Sequence, residues 1–158
     1  MSGFNVWVTE SAKYPVVLGP FGAFITLQYS LTMAPPSQPR NAILGQTLSM
    51  TIAISLRYID SLPGWVKQAL APSLSIAAMA RLGITHPPAG ASALIFATGS
   101  LSWGSMGMTL VANVIVILIA VVINNFNQRR QYPLQWGLVQ TKEQIISFVR
   151  SIQIRAGF

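Results

Sequence analysis

The chain has no cysteine, one histidine and three acidic residues in 158 positions, and each shortage removes a class of explanation. Without cysteine there are neither disulfides nor thiolate metal sites. One histidine with three scattered carboxylates argues against a metal centre. Charged residues make up 8% of the chain, where about 25% is ordinary for a soluble protein. Residues 82–128 are 47 positions without Asp, Glu, Lys or Arg. Lipid imposes that shortage, because it offers a buried charge no partner. Residues 1–10 show neither a basic n-region nor an apolar h-region, so no cleavable signal peptide is expected. Nor is any nucleophile–base pair or phosphate-binding loop visible, which points away from an enzyme.

What is abundant fits the same class. The mean hydropathy is +0.53 and 52% of residues are hydrophobic. The formal charge of +7 raises nucleic acid as a partner. The basic residues, however, lie between apolar runs or in the tail and form no basic-aromatic patch, so nucleic acid is not expected. In a membrane protein, Lys and Arg near span ends set orientation instead.

The expected fold is all-α: a polytopic membrane helix bundle with two broken or re-entrant elements. Residues 1–14 read as an N-terminal extension, 15–127 as the transmembrane domain and 128–158 as a tail. Five membrane elements can be drawn: 15–33, 42–56, 65–83, 89–103 and 107–126. Gly19, Pro20 and Gly22 interrupt the first, and the His86-Pro87-Pro88 break precedes the fourth. The last is the one strong uninterrupted span. Residues 141–155 place Ile145, Phe148, Val149 and Ile152 on one helical face, which predicts an amphipathic C-terminal helix lying in the lipid interface or against a partner. Trp65, Trp103 and Trp136 fall near predicted span ends, as interfacial anchors do.

An internal repeat is suggested. Pro20-Phe21-Gly22-Ala23 and Pro88-Ala89-Gly90-Ala91 share a Pro-x-Gly-Ala pattern 68 residues apart, and each precedes a full helix. Paired broken segments of this kind are the best sequence pointer to a transporter binding site. The first half shows no helix ahead of residue 15 to match 65–83.

At these residues the sequence resembles the HPP family of integral membrane proteins. His86-Pro87-Pro88 with Ala89-Gly90-Ala91 matches the motif behind the family's name. The segment from Gly19 to Ala23 and Pro36-Ser37-Gln38-Pro39-Arg40-Asn41 follow the same order, and the resemblance covers residues 15–125. Members in plastids and cyanobacteria are associated with nitrite transport. The resemblance therefore implies a multi-pass protein of a plastid or bacterial inner membrane that handles a small anion.

The candidate substrate-binding residues are Gly19, Gly22, Ala23, Arg40, Asn41, His86, Ala89, Gly90, Ala91 and Asn113. Two prolines that cannot donate would leave the N–H groups of Ala89, Gly90 and Ala91 free at an electropositive helix start. The two broken ends are expected to meet in a polar cavity reachable from one side. His86 could donate to an anion, Arg40 could supply fixed charge, and Asn113 a polar contact. Structural roles fit the same residues: His86 bonding a neighbouring carbonyl, Arg40 snorkelling to the interface, the glycines serving close packing and Asn113 joining helices. No Asp or Glu lies inside a predicted span, so His86 is the one titratable group placed for proton coupling; a channel or uniport mode fits equally. No cofactor is expected. The alternative is an accessory subunit of a larger membrane complex. There His86, Asn124, Asn125 or Gln128 could ligate a chlorophyll magnesium and lipid could complete the core. Expected partners are membrane lipids, a small anion, and further copies of the chain or a larger assembly.

Overall fold

The computed structural model describes residues 19–98, 101–126 and 132–134. The described residues are all helical, without strands. Five α-helices follow in order: α1 (Phe21–Ser30), α2 (Pro39–Arg57), α3 (Gly64–Leu82), α4 (Pro87–Thr98) and α5 (Trp103–Asn125), with a 3-10 turn at Pro35–Ser37 before α2. The amphipathic segment 141–155, Trp136 and Gln128 lie outside the described residues.

Local chemistry sets the boundaries. Proline at the first position opens α2, because its missing N–H is one the helix start would leave unpaired anyway. Gly83 closes α3 in the left-handed region at φ 65, and Ile84 N–H donates to the Met79 carbonyl at 3.0 Å. Ser102 caps α5 in a reciprocal pair with Ser105, so that helix starts at Trp103, earlier than its apolar run suggested. Pro72 sits inside α3, where Ser73 Oγ donates to the Ala69 carbonyl at 2.7 Å.

Only α5, among the described residues, is both long and apolar enough to cross a membrane by itself. Its 23 residues rise about 34 Å, against a hydrocarbon thickness of about 30 Å. Of the five elements drawn from the sequence, the last is therefore the one strong span, as expected. α1 and α4 have 10 and 12 residues. α2 reaches 19, but polar side chains dilute its apolar character: Asn41, Gln46 and Ser49 are turned inward.

α2 is the hub, packing against α3, α4, α5 and the 3-10 turn. It runs antiparallel to α5. Arg57 donates to the Leu101 carbonyl and Trp103 Nε1–H to Tyr58 Oη at one end. At the other, Arg40 and Ile43 face Val114, Ile117 and Leu118 across a groove. α4 runs parallel to α2, from His86 beside Gly45 to Phe96 and Ala97 in one apolar cluster with Ala53 and Ile54. α1 runs parallel to α5, with Phe21, Phe24 and Ile117 in one cluster and Asn124 Nδ2 donating to the Gln28 carbonyl at 3.1 Å. The two short helices therefore run in opposite directions within the bundle.

Three glycines separate packing need from conformational tolerance. A Cβ on Gly45 would sit 2.9 Å from His86 Cβ and 3.2 Å from the Ile84 carbonyl oxygen. On Gly90 it would meet only the flexible end of Ile76 at 3.5 Å, and on Gly22 it would meet nothing. Gly45→Ala is expected to destabilise by about 1–3 kcal/mol, because overlap with backbone outweighs the gain in helix propensity. Gly22→Ala should be neutral or stabilise by up to about 1 kcal/mol. Thermal denaturation of the detergent-solubilised variants checks both signs.

Candidate functional site

The His86-Pro87-Pro88 break lies where α2, α4 and the 3-10 turn come together. His86 is fully buried. Its Nδ1 is 2.8 Å from the Pro36 carbonyl oxygen, 50 residues away. A carbonyl only accepts, so Nδ1 carries the proton, and a neutral imidazole then presents an unprotonated Nε2. That Nε2 is buried with no hydrogen-bond partner. Phe24 of α1 packs edge-on against the ring, with centroids 5.2 Å apart. Asn41 Nδ2 donates to the Thr85 carbonyl at 3.4 Å and holds the break against the start of α2.

The backbone donors at the break are not all free. Ala89 N–H donates to the His86 carbonyl at 3.0 Å, which corrects the expectation that it would await a ligand. Ala89 and Gly90 are buried, whereas Ala91 is exposed. Gly22 and Ala23 are exposed on α1, and Gly19 is exposed with Ile95 of α4 nearby. The broken ends meet through Phe24 and His86, not across facing glycines. Arg40, half-buried, lies between two grooves with mainly apolar linings. His86, Ala89, Gly90, Arg40 and Asn41 are thus gathered around the start of α2, while Gly22, Ala23 and Ala91 turn away.

Asn113 is buried on the face of α5 that also carries Ser105, Thr109, Ile117, Ala120 and Asn124. Its Nδ2 has no partner. The antiparallel register places Gln46 of α2 at the same level, and Gln46 Oε1 is likewise buried and unpartnered. The Ser37 and Ser75 hydroxyls and Arg40 Nε are the other buried side-chain groups without partners among the described residues. Such groups are rare in native interiors and each requires a reason.

Sequence reasoning missed Gly45, Gln46 and Phe24. A glycine inside an apolar helix was a usable signal for Gly45. Nothing in the spacing of Gln46 or Phe24 distinguishes them from other span residues. A second polar group fastens the 3-10 turn: Gln28 Nε2 donates to the Ser37 carbonyl at 3.0 Å, and Tyr132 Oη donates to the same carbonyl at 2.7 Å while also contacting Gln28 Oε1. Leu134 N–H donates to Gln38 Oε1 at 2.9 Å, so residues 132–134 belong to the packed body.

The arrangement is that of a helical membrane protein whose single histidine is buried at a break between helices. Comparison with known proteins gives its family. The family model described as "HPP, transmembrane region" matches residues 1–133, and the chain belongs to that family. Two transmembrane proteins of Dictyostelium discoideum are similar. One is 36% identical over 134 residues, covering 79% of this chain and 47% of its own length. The other is 33% identical over 138 residues, covering 82% and 44%. The chain thus spans less than half the length of both relatives. No solved structure matches it with comparable significance.

Replacing Asn113 by leucine removes an unpartnered buried donor while keeping the number and branching of the side-chain heavy atoms. The substitution should stabilise the ligand-free protein, since an orphaned polar group costs about 1–3 kcal/mol. A higher melting temperature for Asn113→Leu in ligand-free detergent is the expected result.

Proposed function

We propose that this chain is the membrane-embedded part of a small-anion carrier in which His86 takes up a proton as the anion enters. The carrying observation is a set of three buried, unpartnered polar atoms, one at the break and two on the long helices α2 and α5. The set mixes a donor, Asn113 Nδ2, with acceptors, Gln46 Oε1 and the neutral His86 Nε2. A bare anion would be repelled by two acceptors. A small anion arriving with a proton or a water suits the set, because protonated Nε2 becomes a donor. Nitrite is the substrate to test first, given the resemblance at His86-Pro87-Pro88.

The element directions support an inverted repeat. α1 followed by α2 and α4 followed by α5 run in opposite senses, each pair a short helix and then a longer one. In carriers of this architecture the site lies between the repeats, formed by the discontinuous helices. The reading has α2 and α3 crossing beside α5, with Asn41, Gln46 and Ser49 of α2 turned inward. The alternative role as a pigment-binding accessory subunit is less well supported. His86 and Asn124, two of its candidate magnesium ligands, are enclosed by protein and leave no open face for a macrocycle.

The test is uptake into proteoliposomes above neutral pH, where nitrite stays an anion. Nitrite uptake should be driven by an inward proton gradient and should acidify the lumen. His86→Gln should lower it about five- to hundredfold, the range for losing one partner of a buried polar set at about 1–3 kcal/mol. Unchanged uptake in His86→Gln, or uptake indifferent to the proton gradient, would refute the reading. Wild-type protein that recovers activity or stability only within a large stoichiometric assembly would favour the subunit.

A further inference from the structure

Arg40 carries a charge that no described residue answers. It is the second residue of α2 and is half-buried. Its Nε is buried without a hydrogen-bond partner. Guanidinium does not deprotonate in proteins, so the charge persists wherever the side chain is held. The one carboxylate among the described residues is Asp60, in the turn beyond the far end of α2. That is about 30 Å away at 1.5 Å per residue. A partly desolvated cation with no counter-charge is costly, so an anion from outside the fold is the natural complement.

The surroundings of Arg40 say what kind of anion. A groove of about 310 Å³ runs on one side, lined by Pro39, Arg40, Ile43, Val114, Ile117 and Leu118 among others. On the other side a groove of about 450 Å³ is bounded by Arg40, Leu44, Leu48, Thr51, Leu82 and Ile84. Arg40 and Leu44 line both, so the outer edge of α2 is a ridge with an apolar trough on each flank and a cation near one end. From Arg40 to Thr51 the helix rises about 16 Å. That is about half the hydrocarbon thickness of a bilayer, the depth of one leaflet.

We propose that Arg40 and these two grooves form a binding site for an anionic phospholipid, its phosphate on the guanidinium and its acyl chains along the flanks of α2. Two troughs meeting at one cation match a headgroup with two chains. A free inorganic anion would use the charge and leave the grooves empty. A second copy of the chain would fill the grooves and bring another Arg40 of like charge. The grooves lie on the outer edge of α2, whereas His86 is buried inside the bundle, and the test of the site does not depend on transport.

The full chain, purified from a membrane containing equal phosphatidylglycerol and phosphatidylcholine with identical acyl chains, is analysed for retained lipid by mass spectrometry. Phosphatidylglycerol should be retained about tenfold over phosphatidylcholine, a ratio within reach of one charge-assisted hydrogen bond. Arg40→Gln should bring the ratio to about one. Arg40→Lys should keep an anionic preference, since it retains the charge. Arg81→Gln should leave the ratio unchanged, because Arg81 is exposed and lines neither groove. Leu118→Trp, at an exposed groove position, should reduce retention of both lipids without altering helix content. Three results would overturn the proposal. The first is an undiminished anionic preference in Arg40→Gln. The second is thermal stabilisation by inorganic phosphate equal to that by phosphatidylglycerol. The third is a lipid-free dimer that cross-links through Leu118→Cys in this otherwise cysteine-free chain.

Discussion

The hydrogen bond from His86 Nδ1–H to the Pro36 carbonyl joins two irregular stretches of this fold across 50 residues. Proline in the 3-10 turn leaves the chain bent ahead of α2, and proline after His86 leaves it bent ahead of α4. Each bend has polar backbone that a membrane interior would penalise. Bonding one bend to the other satisfies an acceptor and a donor together. Asn41 adds a second tie to the same break, and Phe24 closes the ring's face. Gly45 makes the approach of His86 to α2 sterically feasible. The imidazole is therefore a structural bolt, and the same bond that fixes it decides what its other nitrogen can offer.

That double role explains the contrast inside the bundle. Around the 3-10 turn, Gln28, Ser37, Gln38, Asn124 and Tyr132 form a connected polar group with named partners, as interiors ordinarily require. Between α2, α4 and α5, Gln46, His86 and Asn113 each keep an atom unpaired. In the first group only the Ser37 hydroxyl lacks a partner, whereas the second keeps three atoms open at an energetic cost. Sites that break local rules without an evident structural gain are where function is expected.

Much of the fold was legible in the sequence, because apolar run length and the positions of proline and glycine govern it. The order of elements, the break at His86-Pro87-Pro88 and the last long span all follow from those signals. The boundaries that differ have local causes: Pro39 starts α2 ahead of its apolar run, and Ser102 starts α5 four residues before Gly107. The interior roles were less legible. His86 and Asn113 stand out as polar residues in an uncharged stretch, but the partner of His86 is a carbonyl that no side-chain pattern encodes. Gln46 gains its meaning only from the register between α2 and α5. Gly22 resembled Gly90 in sequence, yet one faces open space and the other packs on Ile76. Arg40 looked like either a site residue or an interfacial one, and only its flanking grooves distinguish the settings.

The central claim is that the imidazole is locked with its proton on Nδ1 and its Nε2 bare. The chain has a single histidine, so labelling histidine with 15N reports on this residue alone. Solid-state NMR of the labelled protein in bilayers at neutral pH should show one neutral tautomer, protonated at Nδ1, with an unprotonated Nε2 resonance. A spectrum with the proton on Nε2, or the averaged pair of tautomers typical of a solvated ring, would contradict the bond to Pro36 and the site built on it.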